Sequence, residues 1–329
     1  MIVVEKFLIA KYDTHAREPI IRKTKDGTLL CLSLSGGESE PDNQNAVFIA
    51  KSHDDGRTWS RPEVLFSHNN RGCWSTELFC EGDRDFAVVH TYNADTWYKE
   101  LQTFRSFCDT SGEGWTEPAG MRGLTNCSVR QGIVMSNGEW LFPIYWQETQ
   151  SGFDNPKPKD FDGSKYPFVS GVAVSSDGGE TFYRYGYIAS DVPVWEPNAV
   201  EIENGHIILY CRCCKGFLYV SESFDYGRTW SAGYLSDIPH ADTKVTVLKV
   251  NGYVLMINNF RSFDGRKNLC IGKSVDGKHF EIIQNIENAE DIFFYPHAFA
   301  DYDSGILYVA YESAKEHWLK KYTFRELGV

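Results

Sequence analysis

Six turn glycines set the plan of this chain. Gly27, Gly82, Gly138, Gly205, Gly252 and Gly305 each follow Asp, Asn, Ser or Glu, and each introduces a short apolar run. The runs include Thr28-Leu-Leu-Cys-Leu-Ser33, Phe86-Ala-Val-Val-His90, His206-Ile-Ile-Leu-Tyr210, Tyr253-Val-Leu-Met-Ile257 and Ile306-Leu-Tyr-Val-Ala310. They are rich in β-branched and aromatic residues, and helical periodicity is almost absent. A glycine after a small polar residue supplies the positive φ of a tight hairpin. The separations are 55, 56, 67, 47 and 53 residues. An all-β repeat near fifty residues is one four-stranded propeller blade. The sequence therefore predicts an all-β, six-bladed β-propeller of four-stranded antiparallel blades, with residues 1–329 as a single domain.

A second repeat runs out of phase with the first. Ser52-His-Asp54-Asp-Gly56-Arg-Thr58-Trp59 returns as Ser175-Ser-Asp177-Gly-Gly179-Glu-Thr181-Phe182 and as Ser223-Phe-Asp225-Tyr-Gly227-Arg-Thr229-Trp230. Weaker copies lie at Ser274 to Phe280 and at Ser106 to Trp115. In this pattern Ser and Asp bond neighbouring backbone N–H groups, Gly takes the left-handed position and the aromatic packs inward. These aspartates read as turn-builders rather than acids of a reaction.

Composition narrows the partners. Thirty-three Lys and Arg against forty-five Asp and Glu give a net charge of −12. That balance argues against a nucleic-acid backbone or an anionic membrane as partner. No apolar stretch approaches the length of a membrane span. The N-terminal Met1 to Lys11 reads as a first strand rather than a leader, which implies a cytoplasmic protein unless a leader was removed. Nine scattered cysteines fit reduced thiols. The C-x-x-C within Cys211-Arg212-Cys213-Cys214 lacks a second ligand pair, so no metal is expected there.

Blade topology then separates two ends. The A–B and C–D turns of an up-and-down blade share one end, while B–C loops and D–A crossovers share the other. The Gly turns fit A–B and the S-x-D-x-G boxes fit C–D, so functional side chains belong before a strand A or between strands B and C. Arg17, Glu196 and Tyr295 lie ten, nine and ten residues before Gly27, Gly205 and Gly305. Asp42, Arg212, Arg261 and Arg266 fall in B–C segments. Trp74, Glu77 and Gln131 precede strands, and Tyr145 and Trp146 follow a B strand, so these five could line a sugar subsite. The long polar segment between Gln147 and Phe168 is expected to form a rim or lid.

The repeated box is the Asp box, and the chain resembles the exo-sialidase (neuraminidase) superfamily of six-bladed propellers along nearly its whole length. The resemblance implies a retaining exo-α-sialidase acting on sialylated glycans with no metal and no organic cofactor. Three guanidiniums suit an anomeric carboxylate, and a neutral phenol suits attack beside that anion. By resemblance Arg17, Arg212 and Arg266 bind the carboxylate, Tyr295 is the nucleophile, Glu196 activates it and Asp42 is the acid/base. Glu38 and Glu40 compete with Asp42, and Arg261 with Arg266. The superfamily's Arg-Ile-Pro is Arg17-Glu18-Pro19 here. That departure, with Tyr295-Pro296-His297, leaves open another anionic sugar, such as a keto-deoxy acid or uronide. A non-catalytic carbohydrate-binding propeller is the further alternative.

Overall fold

The computed structural model describes residues 5–81, 84–96, 100–147, 168–261 and 263–329. The turn at Gly82 and the expected lid at 148–167 lie outside these residues. Strand β1 (Lys6–Lys11) opens the chain. The first sheet follows as β2 (Ala16–Lys23), β3 (Leu29–Ser35), β4 (Ala46–Ser52) and β5 (Glu63–Phe66). The second is β6 (Gly72–Glu81), β7 (Arg84–Tyr92), β8 (Gln102–Cys108) and β9 (Ala119–Gly120). The third has an inner edge in two pieces, β10 (Ser128–Val129) and β11 (Ile133–Val134), both paired with β12 (Trp140–Gln147). β13 (Phe168–Ser175) and β14 (Tyr183–Tyr185) complete it.

The fourth sheet is β15 (Trp195–Glu203), β16 (His206–Arg212), β17 (Phe217–Ser223) and β18 (Tyr234–Pro239). The fifth is β19 (Thr246–Val250), β20 (Tyr253–Asn259), β21 (Leu269–Ser274) and β22 (Glu281–Asn285). The sixth takes β23 (Phe294–Asp301), β24 (Ile306–Ser313) and β25 (Glu316–Thr323), with β1 as its outermost strand. Six sequential antiparallel sheets of this order are a six-bladed β-propeller, the class expected from the sequence.

The described turn glycines all lie in A–B turns, between the first and second strands of their sheets. The Asp boxes all join the third strand to the fourth. In the box at 223–230, Asp225 Oδ1 accepts from the Thr229 N–H at 2.8 Å and Oδ2 from the Thr229 hydroxyl at 2.6 Å. The Gly227 N–H donates to Ser223 Oγ at 2.9 Å, and Trp230 Nε1 donates to the Gly227 carbonyl at 3.0 Å. Trp59 and Trp115 repeat that last bond at 3.1 and 3.0 Å. The box aspartates are thus spent on their own turns.

The chain divides into two compact units, one holding β1–β9 with the sixth sheet and the other holding β10–β22. In the first unit one core packs Ile9, Ile21, Leu29 and Tyr308, and a second packs Ile20, Leu32, Leu78 and Val89. In the second unit Leu141, Val172, Ile207 and Leu209 form one core and Val200, Ile208, Val245 and Met256 another. Each cluster joins neighbouring sheets through both faces of their strands, which is why β3 is buried at every position. Outer strands such as β5 are only half-covered.

Candidate functional site

The ends of the inner strands carry strained backbone. Glu18, Glu196 and Tyr295 have φ of +52°, +45° and +48°, and each precedes a proline. The left-handed region is costly for residues with a Cβ, and such strain concentrates at functional sites. In β2 the pairing passes from Arg17↔Leu34 to Ile20↔Leu32, and in β15 from Trp195↔Arg212 to Asn198↔Tyr210. Glu18 and Glu196 are therefore bulged residues in equivalent register, and a bulge re-aims the side chain that it carries. Asp242, ten residues before Gly252, has φ of +51° and repeats the device in the fifth sheet's crossover.

In the first unit, Arg17 is the centre of charge. Its guanidinium lies 3.4 Å from Glu312 Oε1 and 3.6 Å from Glu40 Oε2, and it donates to the Ala16 carbonyl at 3.0 Å. The other oxygen of the fully buried Glu312 accepts the Glu18 N–H at 2.6 Å. Trp74, 4% exposed, donates its indole N–H to Glu18 at 3.3 Å. Burial disfavours the charge on Arg17, but Glu312, Glu40, Tyr295 and Glu18 outweigh it and raise its pKa. Tyr295 itself is half-buried.

Asp42 lies on the β3–β4 loop, and its carboxylate faces that loop's own backbone. Oδ1 accepts the Gln44 N–H at 2.8 Å and Oδ2 the Glu38 N–H at 3.1 Å. A Cβ on Gly37 would come within 2.6 Å of the Asp42 carboxyl carbon, so the loop is wrapped closely around it. Glu77 is fully buried, with Arg22 at 2.9 Å. Arg22 also meets the His297 ring at 3.1 Å, which ties the inner strands β2, β6 and β23. Glu77 thus serves a buried ion pair.

In the second unit, Glu196 Oε2 lies 2.8 Å from an Arg212 NH group, and Arg212 Nε lies 2.7 Å from Asp242 Oδ1. Trp195 stacks under the same guanidinium, 5.1 Å from its carbon. Burial opposes ionisation of Glu196, yet Arg212 and Arg130, with help from Arg266, hold its carboxyl down at about 2. Arg266 sits over the Phe294 ring at 4.7 Å. Arg261 is instead engaged by Asp264 at 2.6 Å and Glu290 at 3.0 Å, so Arg266 is the arginine whose field reaches Glu196. Gln131 is buried, Tyr145 packs edge-on against Phe168 and Trp146 against Tyr187. Phe168 in turn meets Trp195, so Tyr145 belongs to the aromatic layer behind Glu196.

The first unit thus brings together Arg17, Tyr295 and Trp74, and the second Glu196, Arg212 and Arg266. Sequence reasoning missed Glu18, Asp242, Glu312 and Arg130. Spacing from the turn glycine could have found the first two; Glu312 and Arg130 emerge only from strand register and burial. None of the nine cysteines is joined in a disulfide. Among the described residues no cluster of His, Cys, Asp and Glu is arranged to hold a metal, and no helix is long and apolar enough to cross a membrane.

The chain is similar to a sialidase of Bacteroides fragilis (strain YCH46), 23% identical over 241 residues, covering 70% of this chain and 32% of that protein. It therefore spans about a third of that relative's length. Among solved structures, a Hadza microbial sialidase superposes with a TM-score of 0.74 at 19% identity over 94% of this chain and 66% of the other. Trypanosoma rangeli sialidase in complex with the inhibitor DANA gives 0.72 at 16% identity, over 98% and 58%. A protein of unknown function from Dyadobacter fermentans gives 0.74 at 17% identity, over 97% and 98%. These likenesses confirm the propeller fold. The BNR repeat-like domain family matches residues 27–309, most of the chain, and the protein belongs to that family.

Proposed function

We propose that this protein is a retaining exo-glycosidase acting on a terminal acidic sugar, with sialic acid as the leading substrate. The observation that carries the reading is the phenol of Tyr295 within the field of Arg17, at a strained residue that opens an inner strand. Each of Arg17, Arg212 and Arg266 is suited to a sugar carboxylate in this reading. Their planar, permanently charged forks match it. Tyr295 forms a bond to the anomeric carbon as its proton passes to a carboxylate base, the part that the resemblance gives to Glu196. The ionised state of Glu196 supports that role, because only a carboxylate can accept a proton. A substrate carboxylate that shares Arg212 loosens the guanidinium's hold on Glu196 and restores basicity. A carboxyl of the β3–β4 loop, which carries Glu38, Glu40 and Asp42, moves the proton at the leaving oxygen.

Glu18 and Glu40 crowd Arg17 with negative charge, which favours as second reading an acidic sugar other than sialic acid, such as a keto-deoxy acid or a uronide. A panel of aryl glycosides of the three acids separates them. Tyr295→Phe is expected to abolish hydrolysis of the aryl glycoside that the wild type cleaves, with an unchanged melting temperature. Full turnover by that variant overturns the tyrosine mechanism. Saturable glycan binding by a wild type that cleaves none of the panel would mean a carbohydrate-binding propeller.

A further inference from the structure

The β3–β4 loop holds three carboxyls, and their surroundings differ. Asp42 spends one oxygen on the Gln44 N–H and the other on the Glu38 N–H. Its own N–H donates to Asn45 Oδ1 at 2.9 Å, and the Asn45 side-chain amide donates to the Ser39 carbonyl at 3.0 Å. Asp42 and Asn45 are thus the frame on which the loop is built. Glu38 is exposed, and its backbone serves that frame. Glu40 points elsewhere. Its carboxylate reaches Arg17 Nε at 3.6 Å, beyond hydrogen-bond range, and its side chain is 25% exposed.

Three carboxylates act on Arg17: Glu312, Glu40 and Glu18. Glu312 is fully buried and bonded through both oxygens. Glu18 is 4% exposed and receives Trp74. Of the three, Glu40 combines a loop position, solvent access and an ion pair with the guanidinium that also feels Tyr295. A proton shuttle must meet water as well as substrate, and it must be able to change partner during the cycle.

We propose that Glu40, rather than Asp42, is the catalytic acid/base of this chain. The assignment rests on the acidic-glycosidase reading given above. A substrate carboxylate on Arg17 displaces Glu40 from its ion pair and leaves it able to hold a proton. In the first step Glu40 gives that proton to the glycosidic oxygen, and the bonding pair leaves with the oxygen as the anomeric C–O bond breaks. Tyr295 Oη bonds to the anomeric carbon, and its proton goes to the carboxylate base of that reading. In the second step water attacks that carbon and its proton goes to the Glu40 carboxylate. The bond to Tyr295 breaks, and the phenolate recovers its proton from the same base.

The test compares Glu40→Gln and Asp42→Asn on two substrates, 4-nitrophenyl α-sialoside and methyl α-sialoside. A nitrophenolate leaves without protonation, whereas methoxide does not. For E40Q the expected result is a loss of kcat/KM of at least about 100-fold on the methyl glycoside and under about tenfold on the nitrophenyl one, the scale of general-acid catalysis. Added azide, which needs no base, is expected to give sialyl azide and raise E40Q turnover of the nitrophenyl substrate. D42N is expected to melt lower and to slow both substrates by the same factor. Glu40→Asp, which keeps the acid on a shorter arm, should fall between wild type and E40Q on the methyl glycoside. Equal losses on the two substrates in E40Q, or leaving-group dependence in D42N, overturn the assignment and leave the sialidase reading standing. A wild type that cleaves neither sialoside overturns the sialidase reading and this assignment with it.

Discussion

The ion pair between Glu196 and Arg212 yields a prediction that can be worked from the structure. Both side chains are over nine-tenths buried, and the closest N···O distance is 2.8 Å. Replacing Glu196 with Gln keeps the shape and removes the charge, leaving Arg212 with Asp242 as its carboxylate partner. Breaking a buried pair from one side typically costs about 3–5 kcal/mol, because the remaining charge stays desolvated. Linkage gives a comparable figure. The carboxyl stands at about 2 in the fold against 4.5 as its ordinary value, and each unit is worth about 1.4 kcal/mol, so the ionised form contributes about 3 kcal/mol at pH 7. The sign follows from a depressed acid. The contribution is complete well above pH 4.5 and disappears as pH falls towards 2, with about 1 kcal/mol left at pH 3.

Unfolding entropy of about 2.1 cal/mol/K per residue over 329 residues converts a loss of 3–5 kcal/mol into a melting temperature about 4–7 °C lower. Calorimetry of wild type and E196Q at pH 7 and pH 3 measures both numbers. The expected gap at pH 3 is under half of that at pH 7. A variant that melts within 1 °C of wild type at pH 7, or a gap of the same size at both pH values, would refute the view that Arg212 holds Glu196 ionised.

Three further outcomes follow from other parts of the molecule. Asp225→Ala removes the acceptor for the N–H groups of Arg228 and Thr229 and should cost about 1–2 kcal/mol in urea titration; a larger effect on kcat/KM than on stability would contradict its turn-building role. Gly123→Ala puts a Cβ 1.9 Å from the Phe182 carbonyl oxygen at φ of +89°, and unfolding free energy should drop by more than about 2 kcal/mol, so near-neutral behaviour would sink the claim of close approach. His240 is fully buried with its ring bonded to Asn258, and burial pushes it from 6.5 to about 4. The unfolded chain takes a proton that the fold refuses, so wild type should lose about 2 kcal/mol between pH 7 and pH 5 beyond what His240→Gln loses. Parallel losses in the two proteins would be inconsistent with that linkage.

The repeats were legible because they answer local backbone needs. A hairpin that requires positive φ leaves a glycine in the sequence, and an Asp box leaves Ser, Asp, Gly and Trp at fixed offsets. The places of Arg212, at the end of a second strand, and of Arg266, between a second and a third strand, were legible for a related reason, since both follow from strand order. Glu18 was hidden because a glutamate beside an arginine reads as a surface pair, and only the bulge in β2 shows it in register with Glu196. Glu312 pairs with Arg17 across 295 residues, a separation at which spacing carries no signal. Glu77 reads from the sequence as preceding a strand, whereas it lies inside β6, where Arg22 of the neighbouring inner strand is 2.9 Å away. Asp42 shows the limit most clearly: its place in the chain gives no sign that its carboxylate accepts the Gln44 and Glu38 N–H groups.

The pairing of β1 with β25 joins strands that lie far apart along the chain, as in Lys6 opposite Lys320. During synthesis β1 therefore waits, edge exposed, until Thr323 has left the ribosome. Until then the sixth sheet lacks the hydrogen-bond partners that would shield it from other nascent chains. Deleting Lys6 to Lys11 would recreate that stage permanently, stripping Ile9 and Ala10 from their core and leaving β25 as an open edge on which soluble expression, rather than activity, would first fail.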